Sequence, residues 1–303
     1  MKYLVMHLIL VLMFTLPVNI VLANVSVIDD VGQQIRLDQP AQRIVSLAPH
    51  VTELLFAAGA GDKVVGVVEF SDYPEVAKNI TNIGSAMQPD FETLLLLKPD
   101  LVVGWHSGNL KLVMEKVEAL GLPLFRTEPR TFEQVATNIE RLGELAGTHT
   151  QARKMADDFR QQLQALRQQN GHKPTVHVFY QVWHQPLMTV NGEHLISKII
   201  ELCGGENVFA GLGTLAPQIS TESVILANPQ AIISSDIGES REQLVQQWLK
   251  WDSLAAVKMD SIYVIHPDFI SRHTPRILQG AGQMCRYLDS VRAKLNGGRE
   301  GEN

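Results

Sequence analysis

One pattern occurs twice in this chain, about 130 residues apart: a helix cap, a glutamate two residues on, an apolar turn, a proline and a short apolar run. The first copy is Asp90-Phe91-Glu92-Thr93-Leu94-Leu95-Leu96-Leu97-Lys98-Pro99, leading into Leu101-Val102-Val103-Gly104. The second is Ser220-Thr221-Glu222-Ser223-Val224-Ile225-Leu226-Ala227-Asn228-Pro229, leading into Ala231-Ile232-Ile233-Ser234. A capping oxygen starts a helix, proline stops it, and the apolar run that follows reads as a buried strand. The duplication predicts two related α/β lobes. The helix dipole favours an acid in the first turn by about 0.3–1 kcal/mol, which accounts for either glutamate taken singly. Two in matching positions suit a two-fold symmetric partner that meets both on one edge.

The rest of the chain fits that frame. A hairpin or edge segment over 25–37 precedes strands over 43–47, 63–68, 101–103 and 123–125, with helices over 51–58 and to Leu120 between them. Strands alternating with helices predict mainly parallel, Rossmann-like sheets covered on both faces. From 132 to 169 the texture becomes long helix, with Ala152, Met155, Phe159, Leu163 and Leu166 at three- and four-residue steps. A single long helix over 148–170 then joins a lobe at 24–147 to a lobe at 171–296, which limits opening and closing. In the second lobe the strands fall at 176–180, 231–234 and 261–265, with helices over 195–202, 241–249 and from Arg276 to about Leu295. Residues 297–303 read as a polar tail.

Residues 1–23 stand apart: Lys2 precedes an apolar run from Leu4 to Leu22 that ends in Val21-Leu22-Ala23. Small residues at the two positions a signal peptidase reads place the cut between Ala23 and Asn24, and Pro17 and Asn19 argue against an uncleaved anchor. Export to the periplasm follows, and the 280 residues left of 303 suit two domains. With 26 Lys and Arg against 32 Asp and Glu, the net charge of −6 argues against nucleic acid or an anionic membrane as partner. Only Cys203 and Cys285 occur, and an oxidising compartment favours one disulfide stapling the second lobe over a zinc site, which wants closer cysteines or nearby histidines.

Ligands of parallel sheets sit beyond the carboxyl ends of strands. The loops expected there carry Tyr73, Trp105 with His106, Trp183 with His184, and the run His266-Pro267-Asp268-Phe269-Ile270-Ser271-Arg272-His273. The whole chain has 4 Trp and 5 Tyr, so two tryptophans in such loops point to a cleft for a large, partly apolar ligand, while Trp248 and Trp251 read as packing. No catalytic constellation appears: Gly59-Ala60-Gly61 ends a helix, and there is no P-loop, nucleophile elbow or His-Glu-x-x-His. His50, His106, His184, His194, His266 and His273 read as hydrogen-bonding groups, with convergence on a metal as the alternative. No cofactor or metal is expected.

Arg43-Ile44-Val45-Ser46-Leu47-Ala48-Pro49-His50-Val51-Thr52-Glu53-Leu54, Ser71-Asp72-Tyr73-Pro74, Leu97-Lys98-Pro99-Asp100-Leu101, Cys203-Gly204-Gly205-Glu206-Asn207 and Thr274-Pro275-Arg276 resemble the helical-backbone periplasmic binding proteins of ABC importers. Within that family the likeness is greatest to the cobalamin binders, and it covers nearly all of the exported chain. The resemblance implies a carrier, not an enzyme, that is a monomer when free and delivers a corrinoid to an ABC permease dimer with its ATPase subunits. It implies that Glu92 and Glu222 dock on arginines of the two permease subunits and that Cys203 and Cys285 pair. It also implies that Tyr73 and Trp105 hold the corrin, and that Asp268 and Arg272 bond its polar groups. Where the family example carries tryptophans, Ala86 or Met87 and Leu215 stand here, and Ser271 replaces an acid; Trp183 is the compensating ring. A haem or ferric-siderophore carrier is the nearest alternative, and a periplasmic metal-dependent enzyme the alternative of another class.

Overall fold

The central strands of the two main sheets are short, apolar and joined by crossovers, which leaves parallel pairing as the available arrangement. The computed structural model describes residues 24–235 and 241–300. The leader read at 1–23 lies outside them, as does the end of the chain from residue 301. A hairpin of β1 (Val25–Ile28) and β2 (Gln34–Leu37) opens the first lobe. It continues through β3 (Ile44–Ser46), α1 (Pro49–Ala57), β4 (Val64–Val67), β5 (Thr81–Asn82), α2 (Phe91–Leu96), β6 (Leu101–Trp105), α3 (Lys111–Ala119) and β7 (Leu124–Thr127). The sheet order is β5-β4-β3-β6-β7, all parallel. The strand order reverses between β3 and β6, and the crevice beyond such a switch point is where ligands bind.

Two helices follow, α4 (Phe132–Ala146) and α5 (His149–Asn170). The continuous periodicity from 132 to 169 is thus broken once: Gly147 takes φ +70°, a left-handed cap, and the chain doubles back. The pair packs closely because Gly143 faces Ala152, where an added Cβ would stand 2.2 Å from the Ala152 Cβ.

The second lobe contains β8 (Val176–Gln181), β9 (Trp183–His184), β10 (Leu187–Met188), α6 (Leu195–Leu202), β11 (Gly205–Asn207), α7 (Thr221–Ala227), β12 (Ala231–Ser234), α8 (Arg241–Leu249), α9 (Ala255–Lys258), β13 (Ile262–Val264), α10 (Pro267–Ile270) and α11 (Ile277–Glu300). Its parallel sheet runs β11-β8-β12-β13, with the switch point between β8 and β12. Three readings need correction. The loop expected to carry Trp183 and His184 is a β9–β10 hairpin, and the one expected to carry the run from His266 to His273 contains α10. The tail read from residue 297 is helical to Glu300, since extending an already anchored helix adds one bond for each residue ordered. Cys203 and Cys285 are bonded, joining the end of α6 to α11.

Alternate strand residues face opposite layers. Ile44, Leu101 and Val103 enter one apolar cluster, while Val45 and Val102 enter another beneath α2 and α3. The first cluster does not stop at the lobe: through Phe159 and Leu163 of α5 it continues into Val178, Ile199, Met284 and Leu288 of the second. Prising the lobes apart about α5 would expose such side chains at about 1.5–3 kcal/mol each, so the joint is stiff.

Candidate ligand-binding cleft

The duplicated pattern folds alike in both lobes. Asp90 Oδ1 accepts from the Glu92 and Thr93 amides, and Ser220 Oγ accepts from the Ser223 amide, each capping its helix. Both helices end in a left-handed residue just before proline, Lys98 at φ +47° and Asn228 at φ +41°. The next residue ties the turn to the neighbouring strand: Asp100 Oδ1 accepts from the Arg43 amide, and Gln230 Oε1 accepts from that of His177, both at 2.9 Å. Glu92 and Glu222 are exposed. Hydrogen bonds at the helix start hold the Glu222 carboxyl below its ordinary range.

Between the lobes, the polar face of α1 meets the segment around α10. Glu53, 2% exposed, accepts from Arg272 Nη1 at 2.9 Å, Arg276 Nη1 at 3.1 Å and Thr274 Oγ1 at 2.8 Å. Arg272 also pairs with Asp72 at 2.9 Å and with Asp268 at 3.1 Å, and Arg276 reaches Asp268 at 3.4 Å. Burial pushes the Glu53 carboxyl upward, against the pull of its bonds from Arg272 and Thr274 and the charge of Arg276. Burial opposes the charge on Arg272, but its bonds to Asp72 and Glu53 outweigh that and keep the guanidinium protonated. A buried carboxylate facing two arginines with every oxygen bonded is a latch across the lobes.

One aromatic ring of the predicted set lies against this latch, and the others stand elsewhere on the two lobes. Tyr73 is 45% exposed, with the Arg276 guanidinium 4.0 Å from its ring centroid. Trp105 closes β6 at the first lobe's switch point, edge-on to His50 at 5.0 Å. Its ring lies so close over Gly108 that a Cβ there would stand 1.8 Å from Cε3. Asn109, 5% exposed, fixes the surrounding loops: its Oδ1 accepts from the Trp105 amide, and its Nδ2 donates to the carbonyls of Leu47 and Ala86. Met87, beside Ala86, is 52% exposed. Trp183 stands apart on the hairpin, its Nε1 donating to the Gln185 carbonyl and its ring 5.5 Å from that of His184.

Sequence reasoning named Tyr73, Asp268 and Arg272, which the fold brings together, and assigned no role to Glu53, Asp72, Arg276 or Phe70. A lone acid within the apolar run of α1 was the available signal for Glu53, because a buried carboxylate needs partners. Phe70 is 76% exposed at φ +63°, and its carbonyl accepts from Arg272 Nη2 at 3.3 Å. A bulky residue seldom adopts the left-handed region, which makes Phe70 a candidate position in the cleft.

Three of the six histidines meet at the lobe junction. The rings of His194 and His273 are 5.7 Å apart, and His273 donates to the carbonyl of Pro129. They form no metal site, and no cluster able to hold a metal occurs among the described residues. Burial, helped by the nearby His273 and Arg272 charges, lowers His50 to about 3. Burial, with His273 and Arg130, lowers His194 to about 3 as well. Because these folded values lie below the unfolded one, the stabilisation is complete above pH 6.5 and is lost as pH falls toward 3. From His50 alone the loss is about 1.4 kcal/mol per pH unit. Urea midpoints measured from pH 7 to pH 5 are expected to fall steadily, and His50→Asn should flatten that slope.

A family model described as periplasmic binding protein matches residues 44–269. The chain is 38% identical over 250 residues to the "Vitamin B12-binding protein" of Vibrio cholerae, an alignment covering 82% of this chain and 90% of that one. Among solved structures, the periplasmic vitamin B12 binding protein BtuF of Vibrio cholerae superposes with a TM-score of 0.76 at 37% identity, covering 84% of this chain and 98% of that one. The periplasmic heme-binding protein RhuT from Roseiflexus sp. RS-1, in apo form, gives 0.72 at 25% identity, covering 83% and 99%. These relatives are binding proteins, and with them the metal-dependent enzyme falls away as an alternative.

Proposed function

The chain belongs to the periplasmic binding protein family, and on that premise we propose that it captures cobalamin or a related corrinoid between its lobes and delivers it to an ABC permease. The observation that carries the cargo is the exposed aromatic side chains of Phe70 and Tyr73 beside the Arg272–Asp268 pair, with Trp105 at the first lobe's switch point and Trp183 exposed on the β9–β10 hairpin. A corrin offers a broad flat surface to such rings and polar amide arms to a charged rim. The likeness to vitamin B12-binding proteins supports the same reading.

In this proposal lobes at 24–147 and 171–296 are hinged by 148–170, and the protein reaches the periplasm by loss of residues 1–23. Glu92 and Glu222, exposed and equivalently held, meet arginines on the two permease subunits. The free carrier is a monomer. Thermal unfolding of the purified protein with cobalamin, cobinamide, haem or a ferric siderophore tests the cargo. Cobalamin at 100 times its dissociation constant is expected to add about 2.7 kcal/mol of stability. A shift with haem or siderophore and none with either corrinoid would replace the cargo and leave the fold as described.

A further inference from the structure

When α2 and α7 are aligned from their caps, 90–100 against 220–230, three of eleven positions are identical: a glutamate, a leucine and a proline. The fold explains Pro99 and Pro229, which are buried where each helix stops. The glutamates have the docking role proposed above. Leu96 and Leu226 are left, and nothing in the fold uses them. They are 74% and 86% exposed, while the residue two positions earlier in each helix, Leu94 or Val224, is fully buried and anchors the helix to its lobe. Each leucine lies four residues beyond its glutamate, one turn along the same face. A single exposed leucine needs no explanation. The same exposure, at the same place beside the same acid in two lobes, does.

We infer that Leu96 and Leu226 are apolar pegs that enter two equivalent apolar sockets on the permease dimer, each socket beside a cationic group that meets Glu92 or Glu222. This rests on the docking reading given above. A partner that receives both pegs must carry the same receptive surface twice, as a dimeric permease does. A second copy of this chain fits worse, since it would set glutamate against glutamate. An anionic lipid surface is disfavoured too, because the acids flank the pegs and the whole chain carries −6. The glutamates would steer the encounter and the leucines would hold the complex, so the two kinds of residue are separable by kinetics.

The test uses the full carrier and its permease–ATPase complex in lipid nanodiscs, with affinity and dissociation rate read by surface plasmon resonance. Leu96→Ser and Leu226→Ser are each expected to weaken docking about tenfold, and the double variant about a hundredfold, mostly through faster dissociation. Leu96→Met, which keeps an apolar side chain of similar volume, should dock within about threefold of wild type. Corrinoid affinity and urea midpoint should not move in any of them. Serine variants that dock like wild type, while Glu92→Lys/Glu222→Lys does not dock, would overturn the pegs and spare the docking reading. If neither pair matters, the docking reading fails and takes the pegs with it. The inference would also be overturned if sedimentation showed a dimer of the free carrier that Leu226→Ser dissolves, or if the carrier floated with vesicles lacking the permease.

Discussion

Replacing Glu53 with alanine is expected to lower folding stability by about 3–5 kcal/mol, read as a fall in the urea midpoint with little change in slope. The size follows from what is left behind. Glu53 is 2% exposed and takes three hydrogen bonds, two of them from the guanidinium groups of Arg272 and Arg276. Without the carboxylate those two cations face one another in a poorly solvated space, and Asp268 and Asp72 sit to one side of them. Glu53→Gln keeps the shape and part of the bonding and should fall between wild type and alanine. Asp72→Asn, at a carboxylate that is 45% exposed, should cost far less. The same alanine variant should weaken corrinoid binding, because Arg272 loses the group that aims it. A Glu53→Ala protein as stable as wild type would show that the latch adds nothing beyond packing.

Reducing the Cys203–Cys285 bond should cost about 4.5 kcal/mol, on the chain-entropy model for a closure of 82 residues. The bond ties α6 to α11, and α11 also holds the segment after α6 through Arg292, whose guanidinium donates to the carbonyls of Cys203 and Gly204. Urea unfolding with and without a phosphine reductant, followed by tryptophan fluorescence, measures the effect. Trp248 is a suitable reporter, being 1% exposed and packed edge-on to Phe179 in the second lobe. The Cys203→Ala/Cys285→Ala protein should match the reduced wild type. A midpoint unchanged by reduction would mean that closing this loop adds no net stability to the folded lobe.

Much of this fold is legible in the sequence. Helix α6 and strand β12 fall where apolar pattern and flanking glycine, proline and asparagine place them, and the duplicated cap and proline mark the same turn in each lobe. What could not be read has identifiable causes. Strand β11 is Gly205-Glu206-Asn207, with none of the branched or aromatic residues that mark strands, and it exists because β8 pairs with it. Gly205 is needed there for room, since a Cβ would lie 2.7 Å from Ile200 and Leu288 side chains. The β9–β10 hairpin is only two residues on each side, too short to show alternation. The latch joins Glu53 to Arg272 across 219 positions, and no local pattern reports a partner that distant. Asp268 and Arg272 read as a rim for the ligand; their first bonds are to each other, to Arg276 and to the opposite lobe.

The apolar cluster that runs through α5 bears on traffic at the membrane. A body whose halves share one interior resists any change in the span between α2 and α7. On the docking proposed above, an unloaded carrier presents the permease with the same two-point gauge as a loaded one. It therefore competes for the dock, and surplus carrier slows uptake instead of speeding it. The useful number of carrier molecules is then set by the supply of cargo, and discrimination between full and empty falls to the rim of the cleft, where the ligand itself is on view.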